Sequence, residues 1–405
     1  MTITVIITFC VLLLIAYLFD LTASRTKIPS VILLLLLGWL VRQVTDFIDI
    51  TLPDFSSFLP ILGTIGLILI VLEGSLELEL NSSKVGLIRK SFFGALIPML
   101  AIAFLLSYLF QYFGQYSFKD SLTNAIPFCI ISSAIAIPSV RNLTSSEKEF
   151  ITYESSLSDI LGVIFFNFIA LNDTFGFHPF GHFGLQLFII TIVSLAATIG
   201  LSFLLSKIEH HIKFVPIVLL IILIYAVSEI YHLPALVFIL VFGLSIGNLD
   251  ELKHLKWIER FRPDILNKEV QKFKELTIEG SFLIRALFFL LFGYLIETEE
   301  ILNTDTLIWA VGIVFIIFVF RIIQLKLSRL PLTPMLFLAP RGLITILLFL
   351  SIEPTHVIPL VNNSLIIQVI LIIAFIMMFG LMLTSRNIKT IKPELQLPAS
   401  KLAVE

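Results

Sequence analysis

Long runs of apolar residues dominate the chain, and short polar connections separate them. Thirteen runs are each about long enough to cross ~30 Å of hydrocarbon as an α-helix, and none alternates with the period of two that a membrane β-barrel shows. The pattern therefore predicts an all-α polytopic membrane protein with 13 transmembrane helices. They lie near residues 3–19, 28–42, 58–78, 91–114, 121–141, 150–171, 183–206, 213–231, 234–248, 278–297, 305–325, 331–352 and 364–384.

The distribution of Lys and Arg among the connections predicts the orientation. Of 27 such residues, 22 lie in the odd-numbered connections and the C-terminal tail, and 2 lie in the even-numbered connections, when residues at the very end of a span (Arg42, Arg141 and Lys213) are counted with the adjacent connection. Connections rich in Lys and Arg stay on the cytoplasmic side. A wrong span count would scramble this alternation, so the chain is predicted to be N-out and C-in. The remaining three residues, Arg285, Arg321 and Arg341, fall within spans.

Composition agrees with a membrane protein. Hydrophobic residues make up 58% and charged residues 14% of the chain, with a mean hydropathy of +1.03, whereas soluble domains average about 45–50% and about 25%. We expect contact with membrane lipids and none with nucleic acid. Cys10 and Cys129 both lie in apolar runs, so we expect neither a disulfide nor a metal cluster, and no cofactor. The first run lacks the features of a cleaved signal peptide.

Little of the chain is expected outside the bilayer. We predict one transmembrane domain over residues 1–384, with repeat halves at about 1–171 and 213–384 joined by a linker helix at 183–206. The connection at 249–276 is rich in Lys and Arg and is predicted to be a cytoplasmic amphipathic segment near anionic headgroups. Residues 385–405 form a short cytoplasmic tail.

Two spans carry helix-breaking residues. Pro138 follows Ser132 and Ser133 in the fifth span, and Pro340 and Gly342 lie near the middle of the twelfth. Six spans, an even number, lie between the two, so they run in opposite directions. Paired interrupted helices in two halves of a chain indicate a transporter site, because proline removes a backbone donor and freed backbone must line a cavity. The alternative is a pair of ordinary proline kinks.

The sixth span, "FITYESSLSDILGVIFF", carries two carboxylates. At about 1.5 Å per residue, Asp159 lies about 13 Å into the membrane, near the midplane, and Glu154 is shallower. An ionisable residue at that depth indicates a functional site. Ser155 and Ser158 complete a polar sector on the same helix. Its oxygens suit a hard cation such as Na⁺, and Asp159 would hold either that cation or a proton.

Structural alternatives apply to each charge. Arginine keeps its proton, so Arg341 needs a carboxylate or water, and a salt bridge with Glu154 that fixes two helices is favoured over contact with substrate. A fixed ion pair is less favoured for Asp159, because hydroxyls flank it. Arg285 and Arg321 lie near the cytoplasmic ends of their spans and could extend to the surface. The adjacent His210 and His211 are interpreted as a solvated loop.

Several stretches resemble the sodium/hydrogen exchanger family of the monovalent cation:proton antiporter superfamily. "YESSLSDILGVIFFNF" resembles its sixth helix, "LAPRGLITILL" its second broken helix, and "FVFRIIQL" its eleventh helix. The resemblance covers most of the chain. It implies an elevator-type homodimer, in which a core domain with two crossed broken helices moves against a dimerisation domain.

The resemblance also implies roles for single residues. Asp159 would alternately bind cation and proton, Ser155 and Glu154 would complete the cation shell, Arg341 would pair with Glu154, and Arg321 would make a structural charge pair. We count Ser132, Ser133 and Ser158 as further candidate ligands, with Na⁺ placed at Asp159 and Ser155.

Two departures from the family pattern bear on the ion. Ser158 stands where the family has Asn or Asp, and "SSAIAIPSV" lacks the acid of the family's Thr-Asp-Pro segment. One titratable aspartate remains, which predicts electroneutral one-for-one exchange. We therefore predict a plasma-membrane Na⁺/H⁺ antiporter that extrudes Na⁺ and is not an enzyme. The alternatives are exchange of K⁺ (or Li⁺) for H⁺ and a sodium-coupled organic-anion symporter of similar fold.

Overall fold

The computed structural model describes residues 2–391 apart from 27, 49–54, 79–81, 141–142, 173–176, 208–213, 232 and 249–262. Over these residues the chain is helical and contains no strand, which confirms the predicted all-α class. The helices in chain order are α1 (Thr2–Thr26), α2 (Ser30–Phe47), α3 (Phe58–Glu77), α4 (Val85–Gly114), α5 (Phe118–Ala125), α6 (Ser133–Ser139), α7 (Ser145–Leu171), α8 (Phe177–Lys207), α9 (Phe214–Ile230), α10 (Ala235–Gly247), α11 (Pro263–Leu295), α12 (Thr298–Ile301), α13 (Thr304–Leu327), α14 (Leu343–Leu350) and α15 (Asn363–Ile391). Short 3₁₀ turns lie at Ser82–Lys84, Ile126–Cys129 and Met335–Phe337.

Each predicted apolar run coincides with a helix or an interrupted helix. Within the described residues, eight segments are long and apolar enough to cross a membrane, and three further apolar helices are shorter. The polar helix α7 is not among them. The exact number of 13 spans and the N-out/C-in orientation therefore stay predictions.

The segment before the tenth span is organised differently from the expectation. α11 begins at Pro263, so residues 263–276 are the first turns of that helix instead of a separate amphipathic element. Neither Gly nor Pro occurs between residue 264 and residue 279, so the local sequence does not stop the helix before the span. Residues 249–262, His210, His211 and the end of the tail lie outside the described residues.

Two interrupted helices cross at the centre of the protein. The first consists of α5, a 3₁₀ turn, a non-helical stretch at 130–132, and α6; the second consists of a 3₁₀ turn, a non-helical stretch at 338–342, and α14. The Ser132 amide donates to the Pro340 carbonyl oxygen over 2.9 Å. The two non-helical stretches are therefore in direct backbone contact.

The two interrupted helices run in opposite directions. Asp120, in the first turn of α5, contacts His356, which follows α14, with 2.6 Å between Oδ1 and Nδ1. The Asn124 side chain donates to the His356 carbonyl oxygen over 2.7 Å. The beginning of one broken helix thus lies beside the end of the other, as inverted repeats require.

The first break does not lie where proline predicted it. Pro138 is within α6, near its end, whereas the chain is interrupted earlier, at 130–132. Because α6 ends at Ser139, proline removes one intrahelical hydrogen bond and leaves the helix intact. Pro340 and Gly342 do lie within the second break. A Cβ atom at Gly342 would approach the end of the Ile135 side chain to 2.6 Å, so a larger residue there would displace that side chain.

The helices pack as two groups. One group contains α1–α3 and α8–α11, and the other contains α4–α7 and α13–α15 with both breaks. Contacts between the groups are sparser than those within them, and α3 makes most of them. This arrangement has the two-part organisation that the resemblance implied.

Glycines set the closest crossing in the first group. A Cβ atom at Gly38 of α2 would overlap with the Leu290 carbonyl oxygen of α11, and one at Gly293 would overlap with the Leu35 carbonyl oxygen. The two backbones are therefore in contact at this point, as small residues permit in membrane helix pairs.

Replacing Gly38 with alanine is expected to destabilise the protein by about 1–3 kcal/mol, because backbone on the partner helix cannot move aside easily. The measurement is thermal unfolding in detergent. Gly312→Ala is the matched control, since a Cβ atom there meets no neighbour within 4 Å. It should leave stability unchanged or raise it by about 0.5–1 kcal/mol. Equal losses in the two variants would contradict the close crossing.

Candidate functional site

The polar sector of α7 faces the two breaks. α7 begins with a capping box, in which the Thr144 hydroxyl and the Glu147 carboxylate bind each other's backbone amides. From this fixed start the helix carries Glu154, Ser155, Ser158 and Asp159 inward, and all four side chains are at most 1% exposed. A buried polar sector of this kind must find hydrogen-bond partners within the protein.

Three successive backbone amides, in the first break and at the start of α6, are bound. The Ile131 amide donates to Ser158 Oγ over 2.9 Å, and the Ser133 amide donates to Asp159 Oδ2 over 3.1 Å. Between them, the Ser132 amide donates to the Pro340 carbonyl oxygen. α7 and the second break therefore supply the hydrogen-bond acceptors that a continuous helix would have provided.

Arg341 binds main-chain carbonyl groups at the crossing. Its Nε donates to the Phe128 carbonyl oxygen and its Nη1 to that of Ala339, both over 2.7 Å, and its Nη2 reaches the Cys129 carbonyl oxygen at 3.5 Å. The Phe128 and Cys129 carbonyls lie where the first half-helix ends. Such terminal carbonyls lack helical donors and attract a positive charge.

This arrangement corrects the expected pairing of Arg341 with Glu154. Glu154 is instead bound by Arg321 of α13, with 2.6 Å between Oε1 and Nη1, and the Gln324 side-chain amide donates to the same oxygen. The sequence argument considered a carboxylate or water as the partner of Arg341. It did not consider the carbonyls that a broken helix frees.

Arg321 also binds the second break, and it does not extend to the surface. Its Nη2 donates to the carbonyl oxygens of Met335 and Leu338 over 3.2 and 3.3 Å. The guanidinium thus joins α7, through Glu154, to the second interrupted helix.

Several buried oxygen atoms near the breaks have no hydrogen-bond partner. They include Asp159 Oδ1, Glu154 Oε2, Ser132 Oγ, Ser156 Oγ and Thr345 Oγ1. Unpartnered buried oxygens are rare and call for an explanation, such as a bound ion. Ser155 differs, since its hydroxyl donates to the Ile151 carbonyl oxygen over 2.8 Å and offers only its lone pairs. Within the described part of the chain, no group of three or more His, Cys, Asp and Glu side chains could hold a metal ion.

Sequence reasoning missed three polar residues of this region. Gln324 lies three residues after Arg321 in an apolar run, so helical spacing could have indicated it. Thr345 lies in the first turn of α14, just after the break. Ser156 packs against Gly74 of α3. A Cβ atom added at Gly74 would lie 3.0 Å from the Ser156 hydroxyl oxygen. No sequence signal indicated that contact.

Two crossed, interrupted helices beside a buried carboxylate have the construction of a secondary transporter. The model of the transmembrane sodium/hydrogen exchanger family matches residues 10–385, and the chain belongs to that family. It is therefore a multi-pass membrane protein of a cation/proton antiporter family and not an enzyme.

Solved structures share the fold. A structure of the sodium proton antiporter MjNhaP1 from Methanocaldococcus jannaschii at pH 8 has a TM-score of 0.63 at 18% identity, covering 98% of this chain and 99% of that one. A second MjNhaP1 structure, from an electron-microscopy map, has a TM-score of 0.68 at 17% identity, with 98% of each chain covered. At such low identity the likeness shows the fold alone. No curated protein sequence matches the chain.

A double-mutant cycle tests the pairing of Glu154. Arg321→Met should destabilise the protein by about 3–5 kcal/mol, because it leaves a buried carboxylate short of a partner. Combined with Glu154→Gln, it should show a coupling energy of about 0.5–3 kcal/mol in detergent unfolding experiments. Arg341→Met, the control, should show a weaker coupling with Glu154→Gln, because no hydrogen bond joins the two side chains. A stronger coupling of Glu154 with Arg341 would contradict the described pairing.

Proposed function

We propose that the protein is a plasma-membrane Na⁺/H⁺ antiporter in which Asp159 alternately binds the cation and the proton. The observation that carries this proposal is the environment of Asp159. One carboxylate oxygen is oriented by the Ser133 amide, while the other is buried and has no partner. Membership of the exchanger family supports Na⁺ and H⁺ as the substrates.

The cation would be held by oxygen atoms around the first break. Asp159 Oδ1 supplies the negative charge, and hydroxyl oxygens of Ser132, Ser133 and Ser155 are the neighbouring candidates. Oxygen ligands of this kind suit a small, hard cation. The Ser158 hydroxyl oxygen accepts a hydrogen bond from the Ile131 amide. We therefore propose that Ser158 positions the break and does not coordinate the ion.

The two carboxylates of α7 have separate roles in this proposal. Glu154 has a structural role, since Arg321 and Gln324 bind it. Asp159 is the group that changes its occupant. When one cation replaces one proton on a single carboxylate, the charge of the site does not change, so exchange is electroneutral.

Access from the two sides of the membrane would alternate by movement of one helix group against the other. The sparse contacts between the groups support an elevator-type movement of α4–α7 and α13–α15, which carry the site. We propose that α1–α3 and α8–α11 provide the static part and that the protein is a homodimer.

Asp159→Asn should abolish cation-driven proton movement in proteoliposomes loaded with a pH dye, because an amide can release neither proton nor negative charge. Asp46→Asn is the matched control: the same change is made on an exposed carboxylate of α2 and should leave exchange unaltered. Exchange by the Asp159→Asn protein would contradict the mechanism.

Imposing a membrane potential across the same liposomes should change neither the rate nor the end point of exchange. A response to the potential would contradict the one-for-one stoichiometry.

The main alternative is K⁺/H⁺ exchange. It is favoured by the presence of Ser133, rather than a second acid, beside Asp159. Weaker ligands offset less of the cost of dehydrating an ion, and K⁺ is easier to dehydrate than Na⁺. Comparing Na⁺, Li⁺ and K⁺ gradients separates the two: Na⁺ or Li⁺ should dissipate the pH gradient at lower concentration than K⁺. The reverse order would replace Na⁺ by K⁺ in the proposal.

A further inference from the structure

A third arginine lies between the two helix groups. Arg285 belongs to α11, in the proposed static group, and only 7% of its surface is exposed. The sequence suggested that Arg285 extends to the membrane surface, and its burial corrects that interpretation. Its Nη1 reaches the carbonyl oxygen of Ala134 in α6, on the other group, at 3.5 Å.

Proline explains why that carbonyl is available. In a helix, the carbonyl of residue 134 would accept from the amide of residue 138, and residue 138 is proline. Pro138 thus leaves Ala134 without an intrahelical donor. Arg285 provides a charged donor from outside the helix, and hydrogen bonds with a charged partner are stronger than neutral ones.

The contact is adjacent to the candidate ion site. Ala134 follows Ser133 directly, and the Ser133 amide orients Asp159. Both residues lie in the first turn of α6, so a shift of the Ala134 carbonyl would also move the Ser133 amide that binds Asp159.

A small cleft, with a volume of about 30 Å³, lies along the same short helix. Ile28, Pro29 and Ser30 line it from the first helix group, and Ala134, Pro138 and Ser139 line it from α6. α6 therefore contacts α11 of the first group through Arg285, and the cleft separates it from the start of α2.

We propose that Arg285 is a positioning residue for ion exchange, which holds α6 against the static helix group while the cleft is open and releases the Ala134 carbonyl when the groups move. The contact favours the conformation described here over the alternative one. This inference rests on the proposed antiport function.

Exchange kinetics of three variants test whether Arg285 binds the Ala134 carbonyl that Pro138 frees. Arg285→Met removes the donor and retains an unbranched apolar side chain. Pro138→Ala gives α6 its own amide donor for Ala134, which displaces the guanidinium. Each should change the maximal rate or the apparent KM of exchange by about tenfold, the effect of one charged hydrogen bond. The double variant should be no more affected than either single variant, because both changes break the same contact.

Arg42→Met is the matched control. Arg42 is another arginine of the first helix group, but its partners, Asp46, Leu295 and Glu297, lie in or next to that group. Its replacement should leave KM and maximal rate within about twofold of the wild type, as expected for a partly exposed contact.

Cysteine labelling reports the conformation independently of transport. In a chain with Cys10→Ser, a cysteine in place of Ser139 should react with a membrane-impermeant maleimide through the cleft. Arg285→Met should slow this reaction by about tenfold, since it lowers the population of the open cleft. A cysteine in place of Ser146, which is exposed at the start of α7, should react equally in both backgrounds.

The outcomes separate the two proposals. A wild-type protein that exchanges no cation for protons would overturn the proposed function. A wild-type protein that exchanges ions, with Arg285→Met behaving like Arg42→Met in kinetics and in labelling, would overturn the role of Arg285. Additive effects of Arg285→Met and Pro138→Ala would overturn the shared carbonyl. If Arg285→Met does not fold, the same test compares two other variants. Arg285→Lys keeps a hydrogen-bond donor for the Ala134 carbonyl, whereas Pro138→Ala displaces the donor.

Discussion

The structure depends on satisfying the backbone groups that two interrupted helices expose inside an apolar protein. A polar backbone group in such surroundings costs several kcal/mol when it lacks a partner. In the first break, the amides at 131, 132 and 133 are bound by Ser158, by a carbonyl of the second break and by Asp159. The candidate ion site is thus built from the same side chains that make the breaks stable.

The freed carbonyls explain why arginine occurs within apolar runs. Arg341 binds carbonyls at the end of the first half-helix, and Arg321 binds carbonyls of the second break. Arg285 binds the carbonyl that Pro138 frees in α6. Each guanidinium offers several N–H donors, so it can bind carbonyl oxygens that no helical amide reaches. The apparently misplaced positive charges are therefore part of the backbone architecture, and only Arg321 pairs with a carboxylate of α7.

Much of the fold and part of the site followed from the pattern of residues. The apolar runs placed the helices, and the polar sector of α7 identified Glu154 and Asp159 as buried groups near a crossing. The errors concern partners. Proline at 138 suggested a break at the wrong place, since a proline near the end of a short helix disrupts little. The assignment of Arg341 to Glu154 failed because charge complementarity considers side chains and ignores the main chain.

The sequence by itself determined the membrane class, the helical segments, the family and the intramembrane carboxylate, because hydrophobicity, helical spacing and motif composition are local properties. Only the tertiary structure decided which arginine meets Glu154, which oxygen of Asp159 is left without a partner, and which helix group Arg285 touches. Those contacts join residues more than 100 positions apart or depend on backbone groups, which every residue carries and no sequence pattern distinguishes.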